Sequence, residues 1–423
     1  MSATSQIQLD PVVQTLSNGL TVVMETIPYV HSVSVGVWVK TGSANEQVDL
    51  AGISHFLEHM VFKGTETRTS REIMEAVESR GGLMNAFTSK EYTCYYVKML
   101  DKHLDVGLDV LSDIMKNNVW SDLEKERNVI LEEIAAGVDV PDDHIHDMMA
   151  GKVWPNHALG RSIAGDETTV SNTTLDDIKA YKQAWYRPDN MLLSIVGNFD
   201  ESETLDRIRS YFGDIETTSN EHSWETPARE SGVLWEERDI AQNHVALSFP
   251  GTSILGVNRY KHDMLSSIFG GGSTSRLFDT IREEAGLAYS IYSYNSMYQQ
   301  TGALGVYAAV APENTQTTLD LIADEIKKLQ DTPLGEDELN SNREQLKGGL
   351  LLALEGTFNR MSRMGRSLLF FDRVIPVSEI LESVDSVTVD DIQTLAQETF
   401  TQEHTSMAVL GPKHNATEAS LNL

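Results

Sequence analysis

The sequence predicts an α+β fold made of two related halves, each a mixed or antiparallel sheet flanked by helices. Three observations predict it. Segments of period-two apolar alternation, such as residues 32–39, sit among segments of helical period, such as residues 104–117. The 423 residues exceed one ordinary core. The second half also echoes the first. Leu108-Asp109-Val110-Leu111-Ser112-Asp113 returns as Leu319-Asp320-Leu321-Ile322-Ala323-Asp324, and Gly82-Leu83 as Gly286-Leu287, about half a chain on.

The elements follow in order. Residues 12–27 read as a hairpin turned by Ser17-Asn18-Gly19. Val33, Val35, Val37 and Val39 alternate, which predicts a strand with one buried face. A short, apolar helix within residues 52–64 comes next. Ser70 is the expected cap of a helix at 71–80, ended by Gly81-Gly82. Residues 83–89 and 93–100 are strand-like. Leu104, Leu108, Leu111 and Met115 stripe an amphipathic helix. Ser121 is the expected cap of a long helix running to about Gly137. A helix at 174–185, a strand at 191–196 and a helix at 203–212 complete the first half. Residues 214–239 turn polar, and strand signals resume at 245–249. The expected domains are 1–220 and 241–423, with a linker at 221–240.

Lys and Arg number 33 against 63 Asp and Glu, a formal charge of -30. So acidic a surface repels nucleic acid and attracts cationic peptides. A lone cysteine, Cys94, permits no intrachain disulfide. The N-terminal residues show neither a basic nor an apolar signal region, and no apolar run reaches membrane-spanning length. The expectation is a soluble cytoplasmic protein with no membrane span.

Chemistry concentrates in His55-Phe56-Leu57-Glu58-His59. On a helix, His55 and His59 lie one turn apart on one face, where two imidazoles can hold a zinc ion. Glu58 beside them can take a proton from an activated water. Zinc needs a further protein ligand, and residues 122–134 offer one. At about 100° per residue, Glu126 and Glu133 fall within about 20° of each other at the border of the core face. Glu132 points about 120° away from Glu126, so helix geometry favours Glu133 as ligand. Glu126 then becomes a carboxylate able to orient an imidazole, or alternatively a charge on a solvated helix edge. His103, His144, His146 and His157 lack a matching zinc spacing and read as surface or structural residues.

The sequence resembles the pitrilysin-type (inverzincin) zinc metallopeptidases, and within them the short bacterial processing-peptidase-like members and the mitochondrial processing peptidase beta subunit. The resemblance rests on Asn18-Gly19-Leu20, on residues 42–62, and on Gly82-Leu83-Met84-Asn85-Ala86-Phe87-Thr88. It extends over residues 126–133, 270–278 and 281–290, which together span nearly the whole chain. It implies zinc held by His55, His59 and Glu133, Glu58 as general base, and Glu126 in support. It implies that Asn85, Ala86 and Phe87 line a strand edge where substrate adds as a strand. Phe87 as a packing residue is the alternative there. It also implies that Arg282 and Tyr289 hold the substrate carbonyl and stabilise an oxyanion. Read without the resemblance, Arg282 would pair with Glu283 or Glu284. Long members of the family carry those two groups in a second half-molecule, so the resemblance implies a homodimer with sites completed in trans. A heterodimer with an inactive partner stays open. The implied function is a zinc endopeptidase for extended or presequence-like peptides. The alternatives are a catalytically silent scaffold or partner subunit, and a structural zinc domain with a closed site.

Overall fold

The structure is a computed structural model and describes residues 11–217, 226–412 and 419–423. The N-terminal residues 1–10, and residues 221–225 of the expected linker, lie outside the described residues. The chain forms two compact units. One takes Met1–Ala135, Ser162–Ser223 and Leu351–Val377, and the other Ala136–Arg161, Trp224–Leu350 and Ser378–Leu423.

The first half runs β1 (Val12–Thr15), β2 (Thr21–Thr26), β3 (Ser32–Val39), α1 (Ile53–Met60), α2 (Ser70–Glu78), β4 (Leu83–Thr88) and β5 (Thr93–Leu100). It continues with α3 (Leu104–Lys116), α4 (Leu123–Asp139), α5 (Pro141–Val153), α6 (Glu167–Asn172), α7 (Leu175–Trp185), β6 (Met191–Gly197) and α8 (Glu201–Phe212). The second half runs β7 (Gly232–Glu237), β8 (Asn243–Pro250), α9 (Arg259–Gly270), β9 (Ala288–Met297), β10 (Gly302–Val310) and α10 (Thr315–Asp331). It closes with α11 (Glu336–Ala353), α12 (Thr357–Phe371), α13 (Val377–Asp385), α14 (Val389–Thr399) and β11 (Ser406–Gly411). β7 thus falls within the polar stretch read from the sequence as a linker.

The repeat is visible in the sheets. The first has the order β1-β2-β6-β3-β5-β4 and the second β7-β11-β8-β10-β9. Without the extra β1, the two match strand for strand. β2 pairs with β6 in parallel, as β7 does with β11, and every other matched pair is antiparallel. Each half is therefore one α+β unit whose strands mix both directions.

β3 departs from its expectation in an instructive way. Its valines do face α1 and α3, where Val33, Val35, Val37 and Val39 join a core with Phe56, Leu57, Leu108 and Leu111. Each such burial contributes on the order of 2 kcal/mol. The opposite face is buried too, because α12, far along the chain, lies on it. Trp38 packs there with Met361, Met364 and Leu368. Ser34 and Thr357 share a hydroxyl hydrogen bond of 3.0 Å. Gly36 and Gly365 let the layers close up, since a Cβ on Gly365 would lie 2.4 Å from the Trp38 ring. Glu25 of β2 meets Arg360 of α12 at 2.9 Å, and both are buried. α5 plays the corresponding part in the second unit, covering β8 and β11.

Two caps also differ from expectation. Thr69, one residue before Ser70, caps α2, and Glu72 returns the bond to the Thr69 amide in a capping box. Ser121 does not cap α4. Its hydroxyl instead donates to the carbonyl of Lys63 at 2.6 Å, tying the entry of α4 to the end of α1.

Candidate metal centre

α1 exists where it does because its N-terminus is anchored twice. The Glu46 carboxylate accepts from the amides of Gly52 and Ser54, each at 2.8 Å, which satisfies two otherwise unpaired donors. Gly52 has φ 93°, and a Cβ there would lie 2.5 Å from the carbonyl oxygen of Ala164. Ile53, Phe56, Leu57 and Met60 point into the core and are fully buried. That leaves His55, Glu58 and His59 along the other side.

α4 supplies the acidic partners. Ile130 faces its core, and Arg127 donates to the carbonyls of Val170 and Thr173 while stacking over Phe56 of α1. This fixes α4 against α1. Glu126 is only 3 % exposed, so the solvated-edge reading fails. Its Oε1 lies 2.9 Å from Nδ1 of His59 and its Oε2 lies 2.6 Å from Nζ of Lys63. Glu133, one heptad on, reaches the Nε2 atoms of both histidines. Its Oε1 is 3.7 Å from Nε2 of His55, and its Oε2 is 3.6 Å from Nε2 of His59. Glu132 is exposed, as its helical position requires.

His55, His59 and Glu133 offer ligand atoms all within 4.8 Å of one another. A tetrahedral ion about 2.1 Å from each ligand spaces the ligands about 3.4 Å apart, so the 3.6 and 3.7 Å separations fit a small divalent cation. Two imidazoles and a carboxylate form a zinc-type donor set with room for a further ligand. Burial, reinforced by neighbouring His59, pushes the His55 imidazole down to about 4, so it is neutral at pH 7. The neutral ring is the metal-binding form. Nδ1 of His55 is buried with no hydrogen-bond partner, an orphaned polar atom in a ring whose other nitrogen faces the cluster.

Glu58 lies beside this group. Burial raises its carboxyl above the usual range, and the Thr88 hydroxyl, donating to Oε2 at 2.5 Å, pulls the other way. Thr88 ends β4, which lies at the sheet edge. Along β4 the side chains alternate. Met84 and Ala86 join the core under α1, while Phe87 packs edge-on to Trp38 at 6.0 Å. Asn85 is exposed.

In the second unit, Arg282 sits on a π-helical turn, Phe278–Glu284, and Tyr289 is the second residue of β9. The two are adjacent. Arg282 donates to the Tyr289 carbonyl at 2.7 Å, and its guanidinium stacks 4.5 Å from the Tyr289 ring and 4.6 Å from Phe278. Its Glu283 contact is a loose 3.9 Å. Tyr289 is 79 % exposed. His146 lies between the hydroxyls of Tyr292 and Tyr294, and His144 pairs with Glu236, consistent with structural roles.

Sequence reasoning missed Thr88 and Lys63. A signal for each was present. Thr88 follows Ala86 at the two-residue period, and Lys63 follows His59 at the helical one.

Residues 21–167 match the family model described as insulinase (peptidase family M16), and residues 172–346 the one described as peptidase M16 inactive domain. A protein of Bacillus subtilis named as an uncharacterised zinc protease is 38% identical over 403 residues, covering 95% of this chain and 98% of its own. The chain belongs to the M16 peptidase family. A similarly named protein of Mycobacterium tuberculosis is 36% identical over 407 residues, 94% of this chain and 92% of its own. Among solved structures, a Helicobacter pylori protease superposes with a TM-score of 0.89 at 23% identity, covering 95% of this chain and 99% of its own. A chain of complex III from Candida albicans superposes at 0.84 with 19% identity, covering 95% of each. These two likenesses concern the M16 fold. The family's second model fits a half in which Ser266-Ser267-Ile268-Phe269 stand where the first half carries its His-x-x-Glu-His motif. No helix among the described residues is long and apolar enough to cross a membrane.

Proposed function

We propose that this chain is a zinc-dependent endopeptidase acting in the cytoplasm on extended, presequence-like peptides, as a homodimer. The observation that carries the reading is the convergence of His55 Nε2, His59 Nε2 and the Glu133 carboxylate beside a half-buried Glu58. Those three residues would hold the ion. Zinc bound there supplies Lewis acidity toward a water and a peptide carbonyl. Glu126 holds the His59 ring through Nδ1, leaving Nε2 free for the ion. Glu58 takes a proton from the attacking water and delivers it to the leaving amine. Its raised carboxyl suits that exchange. Asn85, Ala86 and Phe87 lie on edge strand β4, whose free backbone groups can pair with an extended peptide and so read conformation before sequence. Arg282 and Tyr289 take the substrate carbonyl and the oxyanion from the partner subunit, with Arg282 held by stacking and by its bond to the Tyr289 carbonyl. The net charge of -30 favours cationic substrates.

The test is cleavage of basic unfolded peptides by zinc-loaded protein, with and without a chelator, alongside Glu58→Gln. The variant should keep its zinc and lose about 10²–10⁴-fold in turnover. Unchanged turnover with zinc retained overturns the reading, as does a wild-type protein that binds zinc and cleaves nothing.

A further inference from the structure

We infer that Lys63 is a positioning residue of the metal centre, holding Glu126 so that Glu126 can hold His59. The inference rests on the zinc reading above and adds a residue to it. Three observations support it.

First, Lys63 is tethered. Its amide donates to the Met60 carbonyl at 3.1 Å, and its own carbonyl accepts from the Ser121 hydroxyl at 2.6 Å. Asn118 donates to the Val61 carbonyl two residues earlier, at 3.3 Å. The root of the side chain is therefore fixed between the end of α1 and the entry of α4.

Second, the two oxygens of Glu126 are divided. Nζ of Lys63 lies 2.6 Å from Oε2, and Nδ1 of His59 lies 2.9 Å from Oε1. A carboxylate with one oxygen pinned cannot rotate about its last torsion without breaking that contact, so Oε1 stays aimed at the ring. A Nδ1–H donated to Oε1 leaves the Nε2 lone pair facing Glu133 and the ion.

Third, Glu126 is almost fully buried while Lys63 is 25% exposed. A buried charge whose partner is removed costs several kcal/mol and draws in water or a new rotamer. Lys63 thus spares Glu126 from swinging toward solvent for compensation. The row Lys63, Glu126, His59 is a charge relay to one ligand only. His55 has no counterpart, its Nδ1 being unpartnered.

The test is zinc affinity, measured by competition with a chromophoric chelator, on wild type, Lys63→Met, Lys63→Arg, Glu126→Gln and the Lys63→Met/Glu126→Gln double variant. Lys63→Met should weaken zinc binding about 10–100-fold. Lys63→Arg should restore most of it. The double variant should bind no worse than Glu126→Gln alone, because Lys63 acts through Glu126. It also removes both charges together, so it serves where Lys63→Met does not fold. Zinc affinity of Lys63→Met equal to wild type, or losses that add in full in the double variant, overturn the inference. Wild-type protein that takes up no zinc overturns the zinc reading and this inference together, so the two failures are distinguishable.

Discussion

Thr88, the last residue of β4, donates its hydroxyl to Oε2 of Glu58 across 2.5 Å. The strand proposed to receive substrate therefore also holds the proposed base. Thr88→Val keeps the shape and removes the donor. A hydrogen bond to a charged group contributes about 1.5–3 kcal/mol, so turnover should drop roughly 10–100-fold. Thr88→Ser should retain most of the activity, and zinc content should not change. Steady-state kinetics on a fluorogenic peptide decide it, and a Thr88→Val variant as fast as wild type removes the role.

A site shared between subunits predicts complementation. Glu58→Gln and Tyr289→Phe are each expected to be inactive alone. Co-refolded in equal amounts, half the dimers are mixed, and each mixed dimer carries one intact site of two. Activity should return to about a quarter of wild type. No recovery, with mixed dimers shown to form, places both groups in one subunit, and a Tyr289→Phe protein active alone removes Tyr289 from the chemistry.

Stability gives a prediction independent of the metal. Gly365 lies in mid-helix, where alanine normally gains about 1 kcal/mol. A Cβ there would lie 2.4 Å from the ring of Trp38, which is fully buried and donates to Ser194 at 2.8 Å. The ring cannot yield. Gly365→Ala should therefore destabilise the protein by about 1–3 kcal/mol, read by urea unfolding.

His262, on α9, is 5% exposed, and burial lowers its imidazole from 6.5 to about 4. Its folded value lies below its unfolded one, so the unfolded chain binds the extra proton. Stability from this residue is intact above pH 6.5, declines as pH falls, and reaches its minimum below about pH 4. Between pH 7 and 5 the wild type should lose roughly 2 kcal/mol more than His262→Phe. Equal losses in both proteins refute the assignment.

The fold class was legible because alternation and helical period survive in most elements, and because Leu108–Asp113 echoes in Leu319–Asp324. Which helix faces carry His55, His59 and Glu133 was legible for a similar reason, from helix periodicity, whereas the meeting of those two faces was implied only by the family resemblance. What the sequence concealed depends on partners far along the chain. Nothing local to Ser32–Val39 says that α12 covers its second face. Nothing local to Glu126 tells a buried carboxylate from a solvated one until Lys63 and His59 stand against it. The caps of α2 and α4 were misplaced by a residue or by role, because Ser70 and Ser121 are equally good cap types wherever their hydroxyls turn.

Glu25 and Arg360 are 335 residues apart in the chain and bonded in the core. On a ribosome, the outer face of the first sheet must wait for α12 to be made. At ~5–20 residues per second that delay is roughly 15–70 s, during which Trp38 and its neighbours have no cover. The half that carries His55, His59 and Glu133 is the first to be synthesised, yet its sheet stays open on one face until α12 emerges, and the second unit waits longer still for β11, its inner strand at Ser406–Gly411.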